Sequence, residues 1–387
     1  MSVSTMLNLG IDLAERGFGP DFLVRRGIRQ MCGSRLREPA LIAGQGGGSD
    51  TRPLPLAPAQ AAFLESLESG PIALVPEKAN EQHYELPPEF FTAVLGPRRK
   101  YSCCHFDTPT STLDEAEVAA LRLTCERAEL ASGQSILELG CGWGSLSLWM
   151  AEQYPGSRIT AVSNSRPQRE FIEAAARNRG LTNLAVRTAD MNDFSAGAAT
   201  FDRIVSVEMF EHMRNYRELL GRVATWLRPE GKLFVHIFCH RTYTYPFEDH
   251  GEADWMARHF FTGGMMPGED LLRRFAPVEG TAPLRVARQW AWNGEHYRRT
   301  ADAWLERLDA EYRTVRNILC RVYGRDEGVR WFYRWRLFFL AVSELFGYGD
   351  GNEWFVQHSL LEKSESPVAK TDGLGGIETL LPIPAAT

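Results

Sequence analysis

The chain has 387 residues, with 43 basic and 49 acidic side chains and a formal net charge of −6. This near balance excludes a general affinity for polyanions, so nucleic acid is not an expected partner. Seven cysteines without a C-x-x-C pair argue against a disulfide framework and against a zinc ribbon, and no metal site is predicted. The N-terminus lacks a signal-peptide pattern and the most apolar late segment is short and charged, which favours a cytoplasmic location.

The first 129 residues predict helices that precede the main domain. Residues 1–43 place apolar and charged side chains at helical spacing, and residues 44–56 are a flexible linker by composition. Residues 57–129 are predicted to form a second helical region. The arginines of the first region are interpreted as a solvated helix face rather than a membrane contact; they are Arg25, Arg26, Arg29, Arg35 and Arg37.

Residues 130–363 alternate β-rich runs with helical patterns, which is typical of a parallel sheet with crossover helices. The predicted strands are 135–139, 158–163, 184–188, 201–207, 232–238, 284–292 and 354–361. Residues 240–275 are rich in aromatics, glycine and proline, and are interpreted as a cap inserted after the fifth strand. Helices at 295–315 and 327–346 separate the last two strands. The tail at 364–387 is predicted to be disordered.

The segment SILELGCGWGS at 135–145 combines an apolar strand, an acid and three alternating glycines. A dinucleotide fingerprint requires its third glycine three residues after the second, whereas Gly144 follows Gly142 by two. Glu138 stands two residues before Gly140, at the strand end, where it can face a cation. The pattern resembles motif I of S-adenosylmethionine (SAM) methyltransferases. SAM carries a sulfonium cation and an amino acid end, which explains why an acid at the strand end would suit it. A glycine turn without a ligand is the alternative for this motif alone.

Polar residues follow the second and third strands, at the sheet edge where open α/β sheets bind ligands. Ser163 and Asn164 end the second strand, Gln168 comes shortly after, and no acid stands there to hold a ribose. Asp190 and Met191 follow the third strand, where a carboxylate can accept from an adenine amine and a thioether can pack on the ring. A helix N-cap or loop role for Asp190 is the open alternative.

Two carboxylates and an imidazole follow the fourth strand, at Glu208, Glu211 and His212. If this segment is helical, their spacing places them on one face. Beside a bound sulfonium they could take a proton from a nucleophile or hold it in line with the methyl group. A solvated acidic helix start is the alternative. His236 lies in an apolar strand, where a core role is favoured over catalysis.

These motifs, taken in order, resemble the cyclopropane-fatty-acid-synthase superfamily of SAM-dependent methyltransferases. The segments that carry the resemblance are 101–106, 138–144, 163–168, 210–213, 235–236, 260–264 and 293–297. Segments 208–216, 238–240, 254–264 and 341–348 resemble the coclaurine N-methyltransferase branch, and the likeness covers about residues 80–363. It implies a doubly wound α/β fold of class I, which is Rossmann-like. The sheet would have seven mostly parallel strands, and helices would precede it at the N-terminus. A cap of helices and aromatic residues would be inserted after strand 5 and between strands 6 and 7.

The resemblance also implies roles for individual residues. The helical region at 57–129 would cover the cofactor, and SAM would be held by Tyr101, Ser102, Glu138, Gly140, Gly142, Ser163, Asn164, Gln168, Asp190 and Met191. In the N-methyltransferase branch, the residues matching Glu208, Glu211 and His212 carry activity. In cyclopropane synthases, the residues that cradle a bicarbonate base match Cys103, Glu211, His236 and Tyr297. The identity of the base therefore stays open, and bicarbonate is a candidate second cofactor.

The sequence predicts SAM-dependent N-methylation of a small aromatic or arylalkyl amine, with Glu211 and His212 receiving the amine proton. This hypothesis rests on Glu208, where cyclopropane synthases commonly have a glycine, and on the aromatic insertion at 240–275. A methylated ammonium favours aromatic surroundings, for which the candidates are Trp255, Phe260, Phe261, Trp331 and Trp335. For each of these alone, core packing is the better explanation.

Two other functions are weighed against this one. The main alternative is a lipid-modifying enzyme that methylates or cyclopropanates unsaturated acyl chains, and only this alternative implies contact with a membrane. A SAM-binding regulator is disfavoured because the proton-handling groups are intact. A homodimer is left open.

Overall fold

The computed structural model of the protein describes residues 3–37, 58–74, 86–249, 251, 254–278, 282–364 and 378–381. The predicted linker at 44–56 lies outside the described residues. So does most of the tail at 364–387, of which Ser364 and one short strand are described.

The described strands form one large sheet and a small ribbon in the cap. They are β1 (Ser135–Leu139), β2 (Arg158–Ser163), β3 (Leu184–Thr188), β4 (Phe201–Val207), β5 (Leu227–His240), β6 (Tyr245–Pro246), β7 (Met265–Met266), β8 (Leu284–Trp292), β9 (Trp354–Lys363) and β10 (Glu378–Leu381). The large sheet has the order β10-β8-β9-β5-β4-β1-β2-β3, and only β9 runs antiparallel to its neighbours. The predicted sheet of seven mostly parallel strands is confirmed, and β10 adds an edge strand that the sequence analysis did not include.

Helices cover both faces of this sheet. The described α-helices are α1 (Val3–Glu15), α2 (Asp21–Arg35), α3 (Pro58–Ser66), α4 (Pro88–Val94), α5 (Leu113–Arg127), α6 (Ser145–Gln153), α7 (Arg166–Asn178), α8 (Tyr216–Trp226), α9 (Trp255–His259), α10 (Leu271–Phe275), α11 (Glu295–Ala310), α12 (Tyr312–Tyr323) and α13 (Arg325–Phe346). The single helix predicted at 295–315 is wrong, because the chain leaves helical geometry at Glu311 and restarts as α12.

The central strands are buried on both faces, as a parallel sheet covered by helices requires. All five residues of β1 are buried. Leu137 and Leu139 pack with residues of α8, whereas Ile136, which points to the opposite face, packs with residues of α5 and α6. The alternating side-chain directions of the strand therefore serve two separate cores.

The turn between β1 and α6 depends on glycine. Gly140 has φ +77°, and a Cβ at this position would lie 2.6 Å from Cγ of Met209. The amides of Gly140 and Cys141 both donate to the carbonyl of Val162 at the end of β2, at 3.0 and 2.9 Å. These bonds place the glycine turn over the carboxyl ends of β1 and β2.

The N-terminal helices α1 and α2 pack against α13. Glu15 is buried and accepts from Nε1 of Trp255 in the cap at 2.7 Å and from Nε of Arg330 in α13 at 2.6 Å. Arg25 and Arg29 both pair with Glu344, which is buried in α13. The interpretation of the N-terminal arginines as a solvated face is therefore wrong for Arg25, whereas the Arg29 side chain stays 64% exposed while it pairs with Glu344. Among the described helices, none has the length and hydropathy needed to cross a membrane.

Replacing Glu15 with alanine tests whether the N-terminal helices are an integral part of the fold. The change leaves Arg330 and the indole of Trp255 without their carboxylate, so we expect the free energy of unfolding to fall by about 2–4 kcal/mol. Urea denaturation measures this difference. The matched control is Glu306→Ala on the exposed side of α11, with a change of about 0.5 kcal/mol or less. Equal losses in the two variants would contradict this account of Glu15.

Candidate active site

An open cavity of about 790 Å³ lies at the carboxyl ends of the central strands. It is lined by most of the residues that the sequence analysis assigned to ribose and adenine, together with parts of the segment after β4. The predicted residues in its wall are Gly140, Gly142, Ser163, Asn164, Gln168, Asp190, Met191, Glu208 and His212. The structure thus brings together residues from four separate loops, in agreement with the rule for open α/β sheets.

The polar groups of this cavity are held in place by local hydrogen bonds. The hydroxyl of Ser163 donates to Oε1 of Gln168 at 2.6 Å, and Ser165 caps α7. This orientation leaves Nε2 of Gln168 buried without a partner among the described residues, so it is a donor for a ligand hydroxyl. Asp190 accepts from the amide of Asn192 at 2.8 Å while it lines the cavity. It therefore has both the loop role and the cavity position that the sequence left as alternatives.

A second cavity of about 560 Å³ lies beside the first and shares Gly140, Gly142 and Glu208 with it. Its walls include the predicted residues Tyr101, Ser102 and Glu138 and several that the sequence analysis missed, namely Lys100, Thr124, Trp143 and Ser145.

The polar atoms of the second cavity suit a zwitterion. The hydroxyls of Thr124 and Ser145 and the indole nitrogen of Trp143 are buried without partners among the described residues. Such donors fit a carboxylate, and Glu138 offers an acceptor for an ammonium. Together the two cavities offer groups that suit the nucleoside and the amino acid parts of SAM. Ser145 and Trp143 lie inside the glycine motif and could have been found from it, whereas nothing in the sequence marks Thr124.

Glu138 lies deep in this second cavity. Burial raises its pKa to about 8, although the hydroxyl of Ser147 donates to its carboxylate and opposes the shift. The carboxyl group of the protein without ligand is therefore mostly protonated at neutral pH. A cation bound nearby would favour the ionised form.

Glu208 does not lie on a helix, so the shared helical face predicted for Glu208, Glu211 and His212 is wrong. Glu208 is the residue directly after β4, and its amide still donates to the carbonyl of His236 as in a strand, at 2.9 Å. Its φ is +46°, which turns the chain away from the sheet. Only a short 3-10 turn, Phe210–His212, follows.

The carboxylate of Glu208 is hydrogen-bonded to three other residues that the sequence predicts to be catalytic. The amide of Cys103 donates to its Oε1 at 2.9 Å, and the hydroxyl of Tyr297 donates to its Oε2 at 2.7 Å. Nε2 of His236 lies 3.2 Å from Oε1. His236 is completely buried with both ring nitrogens bonded, as the core explanation expects, and one of these bonds is to the Glu208 carboxylate. The thiol of Cys103 points elsewhere, towards the carbonyl of Cys104, so the residue contributes its backbone amide.

These contacts separate the protonation states of the two glutamates. Burial alone would raise the pKa of Glu208, but the hydrogen bond from His236, the charge of that ring when it is protonated, the nearby Lys100 ammonium and the Cys103 amide outweigh it and lower the pKa. Burial, and then the charge of Glu208, raise the pKa of Glu211 well above its usual value. The contacts thus favour the ionised form of Glu208 and the protonated form of Glu211.

His212 is neutral in this site. Burial lowers its pKa to about 4, and the nearby Glu208 charge offsets only part of the shift. The imidazole therefore retains a lone pair that can accept a proton.

The predicted substrate aromatics belong to one buried cluster but lie at different depths. The ring of Phe261 is stacked 6.3 Å from that of His212, so it lies beside the first cavity. The rings of Trp335, Trp255 and Trp331 pack around Phe260, with centroids 5.0, 5.5 and 6.1 Å from its own. Phe261 therefore stacks on a residue of the first cavity's wall, and the other four have ring contacts typical of core packing.

The fold and the paired cavities together define a class I SAM-dependent methyltransferase. The chain belongs to the mycolic acid cyclopropane synthetase family, whose model matches residues 75–349. It is 38% identical over 353 residues to the (S)-coclaurine N-methyltransferase of Thalictrum flavum subsp. glaucum, with coverage of 90% of this chain and 94% of that protein. It is 31% identical over 234 residues to the cyclopropane-fatty-acyl-phospholipid synthase of Escherichia coli (strain K12), with coverage of 60% and 56%.

A solved structure supports the same relationship. The crystal structure of coclaurine N-methyltransferase bound to N-methylheliamine and SAH matches this fold with a TM-score of 0.82 and 35% identity. The match covers 93% of this chain and 100% of that one. The predicted superfamily, its N-methyltransferase branch and the predicted enzyme class are therefore confirmed.

The raised pKa of Glu138 predicts that SAM binding depends on pH. Since the SAM cation favours the ionised carboxylate, binding must release a proton below about pH 8. We expect the dissociation constant to fall, by up to about tenfold per pH unit, as the pH rises from about 6 to about 8, and then to level off. Isothermal titration calorimetry in buffers of different ionisation enthalpy measures both the affinity and the proton released.

The control for this experiment is Glu138→Gln, which keeps the size of the side chain and removes its titration. The ligand's own amino group titrates equally in both proteins, so the difference between the two profiles isolates Glu138. Identical profiles for the two proteins would show that Glu138 does not interact with the bound cation.

Proposed function

We propose that the protein transfers the methyl group of SAM to the nitrogen of a small arylalkyl amine. The observation that carries the proposal is the ionised Glu208 carboxylate at the junction of the two cavities. A negative charge there favours a nitrogen that becomes an ammonium as it is methylated. The names of the relatives point in the same direction, since those with high coverage methylate nitrogen.

The same carboxylate argues against bicarbonate. The donors expected to cradle that ion include the amide of Cys103, the hydroxyl of Tyr297 and the ring of His236, and all three are directed at Glu208. A second anion among them would meet the Glu208 charge at close range in a buried site, which is unfavourable. The residues therefore do not fit bicarbonate, and we infer no step that uses it.

The chain's own groups divide the work of the reaction. SAM supplies the electrophilic methyl group, and Gly140, Gly142, Gln168, Glu138 and Thr124 would hold it across the two cavities. The amine lone pair forms the new N–C bond as the C–S bond breaks, so the enzyme must chiefly align the two partners. The walls of the first cavity, next to His212 and Phe261, provide a site for the amine.

His212 is the group that accepts the ammonium proton in this proposal. Its imidazole is neutral at pH 7, and the imidazolium that forms would be stabilised by the charge of Glu208. Burial and the charge of Glu208 raise the pKa of Glu211, which favours its protonated form, and its Oε1 accepts from the amide of Phe238 at 2.8 Å. We therefore assign Glu211 a structural role and His212 the transfer of the proton, in contrast to the joint role expected from the sequence.

A product screen tests the acceptor class. The purified protein is incubated with SAM and either a panel of benzylic and phenethyl amines or vesicles of unsaturated phospholipid, and the products are identified by mass spectrometry. We expect a mass gain of one methylene on amines that contain an aryl group, because the cation is stabilised by the aromatic wall. Modification of the acyl chains alone would contradict the proposal and favour the lipid alternative.

A pair of variants separates the roles of His212 and Glu211. Gln closely replaces a protonated Glu, so Glu211→Gln is expected to keep kcat within about threefold, whereas His212→Gln loses the acceptor and lowers kcat by about a hundredfold or more. Rates under single-turnover conditions and SAM affinity by calorimetry measure the two effects, and SAM binding should change in neither. A large loss of kcat in Glu211→Gln with intact SAM binding would identify Glu211 as the base instead.

A further inference from the structure

A line of hydrogen bonds leads from Glu208 through two histidines to Arg127. Nδ1 of His236 lies 2.9 Å from Nε2 of His358, and Nδ1 of His358 lies 3.0 Å from Nη1 of Arg127. With the contact between His236 and Glu208, this makes three consecutive bonds, and both imidazoles are completely buried. We call these four side chains the histidine chain. Neither His358 nor Arg127 belongs to a motif of the sequence.

The fold fixes the positions of these side chains. His236 and His358 are directly opposite each other in the register of β5 and β9. The ring of Trp292 packs on both, at 5.3 and 4.2 Å between centroids. The guanidinium of Arg127 lies over Trp290 and Trp292, at 5.1 and 5.7 Å from their ring centroids. Aromatic rings therefore pack on both histidines and on Arg127, which limits the rotation of the two imidazoles.

The donor at one end determines the direction of every bond. A guanidinium only donates, so Nδ1 of His358 must accept from Arg127. A neutral imidazole has one N–H, which His358 then carries on Nε2 and donates to Nδ1 of His236. His236 in turn carries its proton on Nε2, where it can donate to Glu208. Burial lowers the pKa of His236 to about 4 and that of His358 well below its usual value, so both rings are neutral at pH 7.

We infer that Arg127 and His358 are positioning residues, which set the tautomer of His236 so that its Nε2–H is directed at the Glu208 carboxylate. The inference deepens the proposed function and rests on it, because Glu208 is the group that this function places beside the reacting nitrogen. The donated bond keeps Glu208 ionised and fixes its orientation. His236, His358 and Arg127 do not line either cavity, and they thereby control the charge that faces the amine.

The same logic excludes the histidine chain as an exit for the amine proton. A proton leaving Glu208 through His236 and His358 would reverse each hydrogen bond and place an N–H of His358 against the guanidinium of Arg127. Two donors cannot share that contact, and Arg127 does not accept a proton. This leaves the proton released by methylation to a route other than the histidine chain, which agrees with the role proposed for His212.

The tautomer can be measured directly on the intact protein. Long-range proton–nitrogen correlation spectra of protein with 15N-labelled histidine, in the presence of SAH, distinguish a protonated from an unprotonated ring nitrogen. The signals of His236 are assigned by their loss in His236→Gln. We expect Nε2 of His236 to be protonated and Nδ1 to have the shift of an unprotonated acceptor. Protonated Nδ1 at His236 in the wild-type protein would overturn the inference.

Variants of Arg127 test the cause. Arg127→Met keeps the length of the side chain and removes the donor, so His236 should populate both tautomers and kcat should fall roughly tenfold to a hundredfold. Arg127→Lys retains a donor and should recover most of both signals. The control is Arg122→Met, an exposed arginine on the same helix, which should change neither. An unchanged tautomer and unchanged kcat in Arg127→Met would overturn the inference.

The readouts separate this inference from the proposed function. The tautomer is observed without any methyl acceptor. The inference about Arg127 and His358 can therefore be confirmed or contradicted even if the amine panel yields no product. SAM affinity and the thermal unfolding midpoint of each variant show whether it folds. If Arg127→Met changes the tautomer as expected while only lipid is modified, the histidine chain is supported and the amine assignment fails.

Discussion

The interaction on which the site depends is the carboxylate of Glu208 held by donors from three separate parts of the chain. The amide of Cys103 comes from the loop after α4, the ring of His236 from β5 and the hydroxyl of Tyr297 from α11. One side chain therefore ties the N-terminal extension, the sheet and the C-terminal helices together around the methyl donor. Hydrogen bonds to a charged group contribute about 1.5–3 kcal/mol each, so this cluster contributes to stability as well as to chemistry.

The backbone at Glu208 carries a cost that these bonds offset. A residue other than glycine in the left-handed region is disfavoured by about 1–2 kcal/mol. In return, the chain leaves β4 in the direction that brings the carboxylate to its donors. Three hydrogen bonds to an ion outweigh the strain, whereas a neutral side chain of the same size would keep the strain and lose most of the gain. The charge of Glu208 also acts on Glu211, since burial and then this charge raise the pKa of Glu211.

Much of the fold and half of the site could be predicted from the sequence, because both follow local rules. The strand ends at Gly140, Ser163 and Asp190 were found since parallel strands present their carboxyl ends at one edge. Features that depend on pairing across the sheet were not accessible. His358 was placed in the correct strand, but only the antiparallel register of β5 and β9 sets it opposite His236. Likewise the spacing of Glu208, Glu211 and His212 predicts a shared helical face, but the backbone at Glu208 has a positive φ and is not helical.

The central claim is that the Glu208 carboxylate occupies the place where a bicarbonate would otherwise be held. The most direct test is a crystal structure of the wild-type protein with SAH, grown in a solution that contains bicarbonate. We predict density for the Glu208 carboxylate within hydrogen-bond distance of the Cys103 amide, the Tyr297 hydroxyl and Nε2 of His236, with no further anion among them. A bicarbonate bound to the Cys103 amide and Tyr297, with the Glu208 side chain turned away, would contradict the account.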